Sequence, residues 1–511
     1  MKLKVKTINF ETGNTKDVVL NIKDAQKLGQ KAGDRIYIKN LESKNIEDKY
    51  WIAILQVDYS NSLVEPGEIG IFLDIIKEKT SLQDKMILSI KSADPPDSFR
   101  FIQKKIKGIK LTTEEINSII SDTVSGSLSR IDLAAFITAV YINGMDNEEM
   151  TSLTYAEARS GEIFNFGPEV YDKHSTGGVP GNKVSLLIVP IVAAAGLTIP
   201  KSSTRAITSP SGTADSMEVL APVAFEAVKL KEIVSKENAC IIWGGALNTS
   251  PADNMLIEIE RPLRMDPIGL MIPSIITKKL SLGVKKLVLD IPVGEGTKFI
   301  TPDDGKQFAY LFKEIAKNVG IQAECALTLA HQPIGHAIGP GLEAKEALNL
   351  LMDYSVGPNS LIEKSTDLAG ILLEMGGKAQ KGMGQSLAKE ILRSGTAYEK
   401  MKRIIEAQGG NPEIKPEDIK LGPNTKEFFA TKSGHITGVN NAIINQIAKA
   451  AGCPHSKHSG VEIFKKQGAR IKEGDLIFKV YSETQNNLKK AEKIYNFSSP
   501  IILGGMMIER I

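Results

Sequence analysis

Only three cysteines, Cys240, Cys325 and Cys453, occur in 511 residues, far apart and without a Cys-x-x-Cys pair. A disulfide framework and a thiolate zinc site are thereby excluded, and a reducing cytoplasm fits. Cys240 and Cys325 lie in apolar runs and read as buried small hydrophobes. Charge of one sign is not in excess. The 63 Lys and Arg against 60 Asp and Glu leave a net charge of +3, so nothing points to nucleic acid or another polyanion as partner. No apolar run has membrane-spanning length; Val184 to Leu197 is short and broken by Pro190. The opening Met1-Lys-Leu-Lys-Val-Lys6 alternates and lacks the apolar centre of a signal peptide. Long internal repeats and low-complexity segments are missing too. No Gly-Lys-Ser/Thr stands at P-loop spacing, which argues against a kinase or ATPase of that type.

What is present is ordinary for a soluble globular protein: 42% hydrophobic and 24% charged residues. The length allows roughly two to four domains. Residues 1–93 read as a small β-rich domain. Leu3, Val5 and Ile8–Phe10 alternate, Glu11–Asn14 turns, Arg35–Lys39 and Tyr50–Leu55 look like strands, and Ile22 to Gly29 like a short helix. Asp94-Pro-Pro-Asp97 ends this domain. Residues 98–165 read as a helical subdomain. Thr112-Thr-Glu-Glu115 is a helix start, and Ile116, Ile119 and Ile120 give that helix an apolar face. From about 170 to 420, buried strands such as Leu287–Ile291 and Glu324–Thr328 alternate with helices such as Gly305–Asn318 and Leu342–Met352. That alternation implies an α/β layered domain, in which ligands bind outside the carboxyl ends of the strands.

The expected organisation is therefore three domains. The first is 1–93. The second is 94–424, an α/β domain with a helical subdomain drawn from 98–165 and about 255–285. The third, 425–511, is a hairpin-rich α+β domain. Its segments Ser433–Val439 and Gly468–Asp475 resemble hairpins of biotinyl or lipoyl carriers. Gly434-His-Ile stands where a carrier needs a modifiable lysine, so a carrier role is not expected.

The stretch Lys173-His-Ser-Thr-Gly-Gly-Val-Pro-Gly-Asn-Lys-Val-Ser185 precedes an apolar helix, Leu186 to Gly196. Glycines let backbone N–H groups converge on one spot. The helix start adds unpaired donors and the positive end of its dipole. Lys173 and Lys183 add charge, and the hydroxyls of Ser175 and Ser185 add orienting donors. A glycine turn alone would be a mere connector; with these residues it reads as a phosphate cradle.

Three further clusters are candidates. Ser202–Asp215 is dense in hydroxyls around Arg205 and can bond phosphate oxygens and sugar hydroxyls; its bland reading is a solvated loop. Arg264 and Asp266 are followed by Ser274 and Lys278, which share one face if the segment is helical. Arg264, Ser274 and Lys278 suit the polar edge of a base. Asp266 could protonate a leaving nitrogen if burial or a neighbouring phosphate raised its pKa. The bland reading is a surface turn with ordinary charge pairs. Lys298, after a strand and a Gly-rich turn, is a second anion contact. His331 and His336 lack helical metal spacing and read as structural or rim residues, while Trp243, Tyr141 and Tyr155 read as core.

Lys173-His-Ser-Thr-Gly-Gly-Val179 resembles the signature of the thymidine and pyrimidine-nucleoside phosphorylases, from about residue 98 to the C-terminus. Several features are closer to one branch, the archaeal AMP phosphorylases. These are the extra N-terminal domain, Pro180-Gly-Asn-Lys183, Thr204–Asp215, Glu258-x-Glu260, Arg264–Pro267, Leu361-Ile-Glu-Lys364 and Gly370–Gly377. The resemblance implies the fold of nucleoside phosphorylases, a helical subdomain plus an α/β domain. It implies phosphorolysis of a nucleoside 5′-monophosphate: AMP and phosphate giving adenine and ribose 1,5-bisphosphate, with CMP and UMP as further substrates.

By the same resemblance Lys173, Ser175, Ser185, Ser203 and Thr213 hold inorganic phosphate. Gly178, Thr204, Arg205, Ala206, Ile207, Thr208, Ser209, Thr213, Ser274 and Lys298 contact the nucleotide, and Asp266 is the proton donor. Arg264 and Lys278 match base-reading positions, although the spacing from Arg264 to Ser274 is shorter than in pyrimidine-specific relatives. Inorganic phosphate is a co-substrate; no metal or organic cofactor is implied. The partners implied are small molecules, with a homodimer or larger homo-oligomer. The alternative is a thymidine or pyrimidine-nucleoside phosphorylase. A rival is an anthranilate-type phosphoribosyltransferase, which would need a paired-carboxylate magnesium site that is not evident near the cradle.

Overall fold

The computed structural model describes residues 1–13, 16–43, 49–79, 81–206 and 209–504. They form two compact units, one of residues 1–160 with 250–274, the other of 161–249 with 275–511.

In the first unit, six strands close a barrel. They are β1 (Lys2–Ile8), β2 (Asp17–Asn21), β3 (Arg35–Asn40), β4 (Tyr50–Asp58), β5 (Glu68–Phe72) and β6 (Ile87–Ser92), in the order β1-β5-β2-β4-β3-β6. Alternation sets the inside: Ile36 and Ile38 point inward with Leu20, Leu55, Ile69 and Leu88, while Tyr37 lies outside. Closure leaves no free edge to pair with another chain. The short helix Ile22–Leu28 ends on Gly29 with φ of +70°. Strand β1 stops at Ile8, and Phe10, expected to extend it, is exposed.

Four helices follow: Ser98–Ile106, Thr113–Val124, Arg130–Asn143 and Asn147–Arg159. The last three start on capping boxes, Thr112 with Glu115, Ser129 with Asp132 and Asp146 with Glu149, so their first-turn N–H groups are satisfied locally. Ile119, Phe136 and Leu153 pack with Ala252, Leu256 and Ile259 of the helix Pro251–Leu263. The buried Lys105 ammonium donates to Glu149 Oε1 at 2.7 Å, and that carboxylate also accepts the Leu111 and Asp146 N–H groups at 2.9 and 3.0 Å. Arg35 ties barrel to helices by pairing with the Asp132 carboxylate and donating to the Ser127 carbonyl at 3.1 Å. Tyr141, expected in the core, is 57% exposed instead. Its helix is apolar on nearly every side, so periodicity could not say which face was inward.

The second unit carries the α/β layer. Strands β7 (Tyr171–Ser175), β10 (Lys286–Val293) and β11 (Gln322–Leu329) run parallel in the order β11-β10-β7, and β8 (Ile199–Ser203) pairs with β9 (Ala239–Trp243). A parallel bridge between Val170 and Thr198 links the two groups. Cys240 is buried within β9; Cys325 of β11 is only partly buried. The helix Ser185–Ala194 runs uninterrupted across Pro190, contrary to the expected break. Leu186, Leu187, Ile188, Val189, Ile191 and Val192 are all fully buried there. Packing on every side outweighs the hydrogen bond that Pro190 cannot donate.

Two small antiparallel sheets, built beyond residue 420 except for one short strand, share one core. One holds β12 (Ala337–Ile338), β15 (Gly460–Ile463), β17 (Leu476–Ser482) and β13 (Asn424–Phe429). The other holds β16 (Arg470–Ile471), β14 (Gly434–Val439) and β18 (Ile501–Gly504). Phe428 stacks on Phe478 at 4.5 Å between ring centres. Among the described residues no helix is long and apolar enough to cross a membrane.

Replacing Lys105 with Met strands the Glu149 carboxylate in the helical core, so the first unit should lose about 3–5 kcal/mol. Chemical denaturation followed by circular dichroism measures this; an unchanged midpoint would refute the pairing.

Candidate active site

The cradle is a strand-to-helix turn between β7 and the helix Ser185–Ala194. Gly177, Gly178 and Gly181 have φ of +84°, +93° and +73°, a region side chains avoid. A Cβ on Gly178 would lie 3.0 Å from Thr297 Cα, so this glycine lets the turn approach the loop that carries Lys298. Thr297 Oγ1 pins that loop by donating to the Gly294 and Phe299 carbonyls, each at 2.8 Å. Lys298 is exposed at its end.

One expected contributor points elsewhere. Lys183 is buried, and its ammonium donates to the Ile334 and Ala337 carbonyls at 3.1 and 2.7 Å and pairs with Glu346 at 2.7 Å. It anchors the turn and adds no charge to the cradle. Spacing alone could not distinguish this from an anion contact, because Glu346 is remote in sequence. Ser185, also buried, is the first residue of the helix.

Beneath the turn lie two fully buried carboxylates, Asp172 and Asp290. Asp290 stands opposite Ser175 in the β10–β7 register. Its Oδ2 accepts Ser175 Oγ at 2.7 Å and Asn182 Nδ2 at 3.4 Å, and its Oδ1 accepts Thr328 Oγ1 at 2.6 Å. Lys364 and Lys173 approach Oδ2 to 3.0 and 3.8 Å. Asp172 pairs with Lys279 at 2.6 Å and Lys201 at 3.5 Å. Four buried ammonium groups thus surround two carboxylates, an excess of two positive charges if all are ionised.

The excess shows in the proton affinities. Burial, only partly offset by Asp290, pulls Lys173 down to about 8. Burial likewise lowers Lys201 to about 7 despite Asp172. Burial alone would raise Asp290, but Lys364 and Lys173 hold it at about 2. Burial and the neighbouring Lys279, Lys201, Lys278 and Lys173 push His174 well below the ordinary imidazole value. His174 is therefore neutral at neutral pH. Uncompensated buried positive charge is costly, and a bound anion would relieve it.

The hydroxyl-rich loop is ordered by Asp215. Its Oδ2 accepts the Ala206 and Gly212 N–H groups at 2.7 and 2.9 Å. Arg205 makes a bidentate pair with Glu218 at 2.6 and 2.7 Å and lies 4.8 Å from the Trp243 ring centre. Its charge braces the loop. Ser203 Oγ donates to the Thr204 carbonyl at 3.1 Å and Ser209 Oγ to the Ser211 carbonyl at 2.9 Å. Thr213 opens the short helix Thr213–Met217. Ile207 and Thr208, also expected to contact nucleotide, lie outside the described residues.

Arg264, Asp266 and Ser274 belong to the first unit and Lys278 to the second. Ser274 and Lys278 do lie on one helix, Ile268–Leu280. Asp266 is exposed between that helix and the preceding one, and Arg264 caps the latter with φ of +53°. Neither His331 nor His336 belongs to a metal-capable cluster among the described residues. Trp243 and Tyr155 are partly buried.

Sequence reasoning missed Asp172, Lys201, Lys279, Asp290 and the role of Lys364. One signal was available. An aspartate in the middle of Leu287-Val-Leu-Asp-Ile291 is a charge in a buried strand, which demands partners.

Because Lys173 is charged only below about 8, affinity for inorganic phosphate should fall as pH rises through that value, with proton uptake on binding. Calorimetry in two buffers of different ionisation enthalpy measures both. Affinity that stays level from pH 7 to 9 would count against the cradle.

Residues 167–398 match the family described as glycosyl transferase family, a/b domain, and residues 100–161 match its helical bundle domain. An AMP phosphorylase of Thermococcus kodakarensis is 44% identical over 100% of this chain and 99% of its own. One of Methanosarcina mazei is 45% identical over 100% of this chain and 98% of its own. Among solved structures, anthranilate phosphoribosyltransferase from Thermus thermophilus superimposes with a TM-score of 0.51 at 19% identity. The match covers 60% of this chain and 98% of that one, a likeness of fold alone. With identity of this order sustained from end to end, the chain belongs to the AMP phosphorylase family of pentosyltransferases.

Proposed function

We propose that this protein catalyses phosphorolysis of AMP, giving adenine and ribose 1,5-bisphosphate, and accepts CMP and UMP. The observation that carries the reading is the excess of buried ammonium groups beneath a glycine turn at the carboxyl end of β7. Such a site is built for a small multivalent anion. End-to-end identity to AMP phosphorylases supplies the nucleotide.

In this reading Lys173 and Ser175 hold the attacking phosphate, with Ser185, Ser203 and Thr213. Gly178, the loop from Thr204 to Ser209, Thr213, Ser274 and Lys298 hold the nucleotide. Arg264 and Lys278 read the base. The C–N bond lengthens first, and the phosphate dianion stabilises the oxocarbenium-like sugar electrostatically. Asp266 delivers a proton to the departing adenine. Neutral His174 is unsuited to that task at neutral pH. The scheme uses phosphate as co-substrate and needs no metal or organic cofactor. We place the enzyme in the cytoplasm, as a homodimer or larger homo-oligomer.

Asp266→Asn should lower kcat at least about tenfold, within the range of general acid catalysis, with little change in phosphate KM; unchanged kcat would remove Asp266 from the reaction. Lys173→Ala should raise phosphate KM at least about tenfold or abolish turnover. The reading as a whole is tested by assaying base release from AMP, CMP, UMP, adenosine and thymidine, with and without phosphate. Preference for the unphosphorylated nucleosides would overturn it in favour of a pyrimidine-nucleoside phosphorylase. Strict dependence on added magnesium would favour a phosphoribosyltransferase.

A further inference from the structure

Lys364 lies far from the cradle in sequence, on the helix Asn359–Met375. Its side chain is 6% exposed, and its ammonium lies 3.0 Å from Asp290 Oδ2. Even so, Nζ makes no hydrogen bond of acceptable geometry. An ammonium carries three donors, and burying them unused is costly. Leu361 and Leu368, one turn away on either side, are fully buried. The helix thus seats Lys364 firmly and offers its head group no water of its own.

Asp290 does not need two cations. Its oxygens already accept Ser175, Asn182 and Thr328, and Lys173 is nearby. One carboxylate facing both Lys173 and Lys364 leaves one positive charge over when both are ionised, and an anion bound beside them would balance it. The same turn presents one further unused donor: Thr176 Oγ1 is buried without a hydrogen-bond partner. Ser175 ties the cluster together, since its hydroxyl donates to Asp290 and accepts from Asn182 Nδ2 at 3.1 Å.

We propose that Lys364 is a further phosphate-binding residue of this site, aimed by Asp290, which serves as a positioning residue for Lys364, Lys173 and Ser175 together. The inference rests on the phosphorolysis reading and adds to it a ligand from outside the glycine-turn motif. Its consequence is that the attacking phosphate is gripped from two elements, the end of β7 and a helix nearly two hundred residues later.

The test uses the full-length enzyme and inorganic phosphate. Lys364→Gln, checked for native circular dichroism, should raise phosphate KM at least about tenfold while AMP KM stays within about twofold. Lys364→Arg, which keeps the charge, should recover most of that loss. A phosphate KM for Lys364→Gln within about twofold of the unaltered enzyme overturns the proposal. Should that variant not fold, Lys364→His decides. Relative to the unaltered enzyme at each pH, its phosphate KM should rise at least about fivefold from pH 6 to pH 8 as the imidazole loses its charge; a constant ratio overturns the proposal. The two readings fail separately. If the unaltered enzyme releases no base in response to phosphate, phosphorolysis itself is wrong. If it does, and Lys173→Ala impairs phosphate use while Lys364 variants do not, only the role of Lys364 is wrong.

Discussion

Positive charge buried in excess of its counter-ions is the constraint around which the second unit is organised. Lys173, Lys201, Lys279 and Lys364 are removed from water with only Asp172 and Asp290 between them. Burial first, and the neighbouring ammonium groups second, lower the proton affinities of Lys173 and Lys201. An anion bound beside these lysines would favour their charged forms.

The surrounding loops use charge in the opposite way. Arg205 is fully matched by Glu218 and Asp215, and Lys183 by Glu346 and two carbonyls. These cations fix backbone. The distinction between spent and unspent cations separates scaffold from site more sharply than residue type does. Within one motif, Lys183 is matched by Glu346 and two carbonyls, while Lys173 belongs to the cluster with more ammonium groups than carboxylates.

Much of this was legible in the sequence because it is local. The capping box at Thr112 and Glu115, the alternation of β3 and the glycine turn after β7 each depend on residues a few positions apart. The family resemblance rested on such contiguous strings as well. What was not legible depends on distant partners. Lys183 looked like a cradle residue until Glu346, Ile334 and Ala337 were seen around it. Pro190 looked like a break, but a helix packed on all sides tolerates the missing donor. Tyr141 looked like core, yet its helix has no polar face to mark the outside. Asp290 stands in an apolar strand that signals burial but not its partners, and Lys364 sits among polar residues, Glu363, Ser365, Thr366 and Asp367, that give no sign it is buried.

The strand Ala337–Ile338 pairs with Val461 and Glu462 of the C-terminal sheet, and the Ala337 carbonyl is the one that Lys183 grips most closely. A single dipeptide is therefore both an edge of the last sheet and a peg for the glycine turn. Insertions, deletions or fusions that shift the register near residue 460 would reach the glycine turn through that peg. The terminal sheet is thus masonry for the glycine turn rather than a detachable annex.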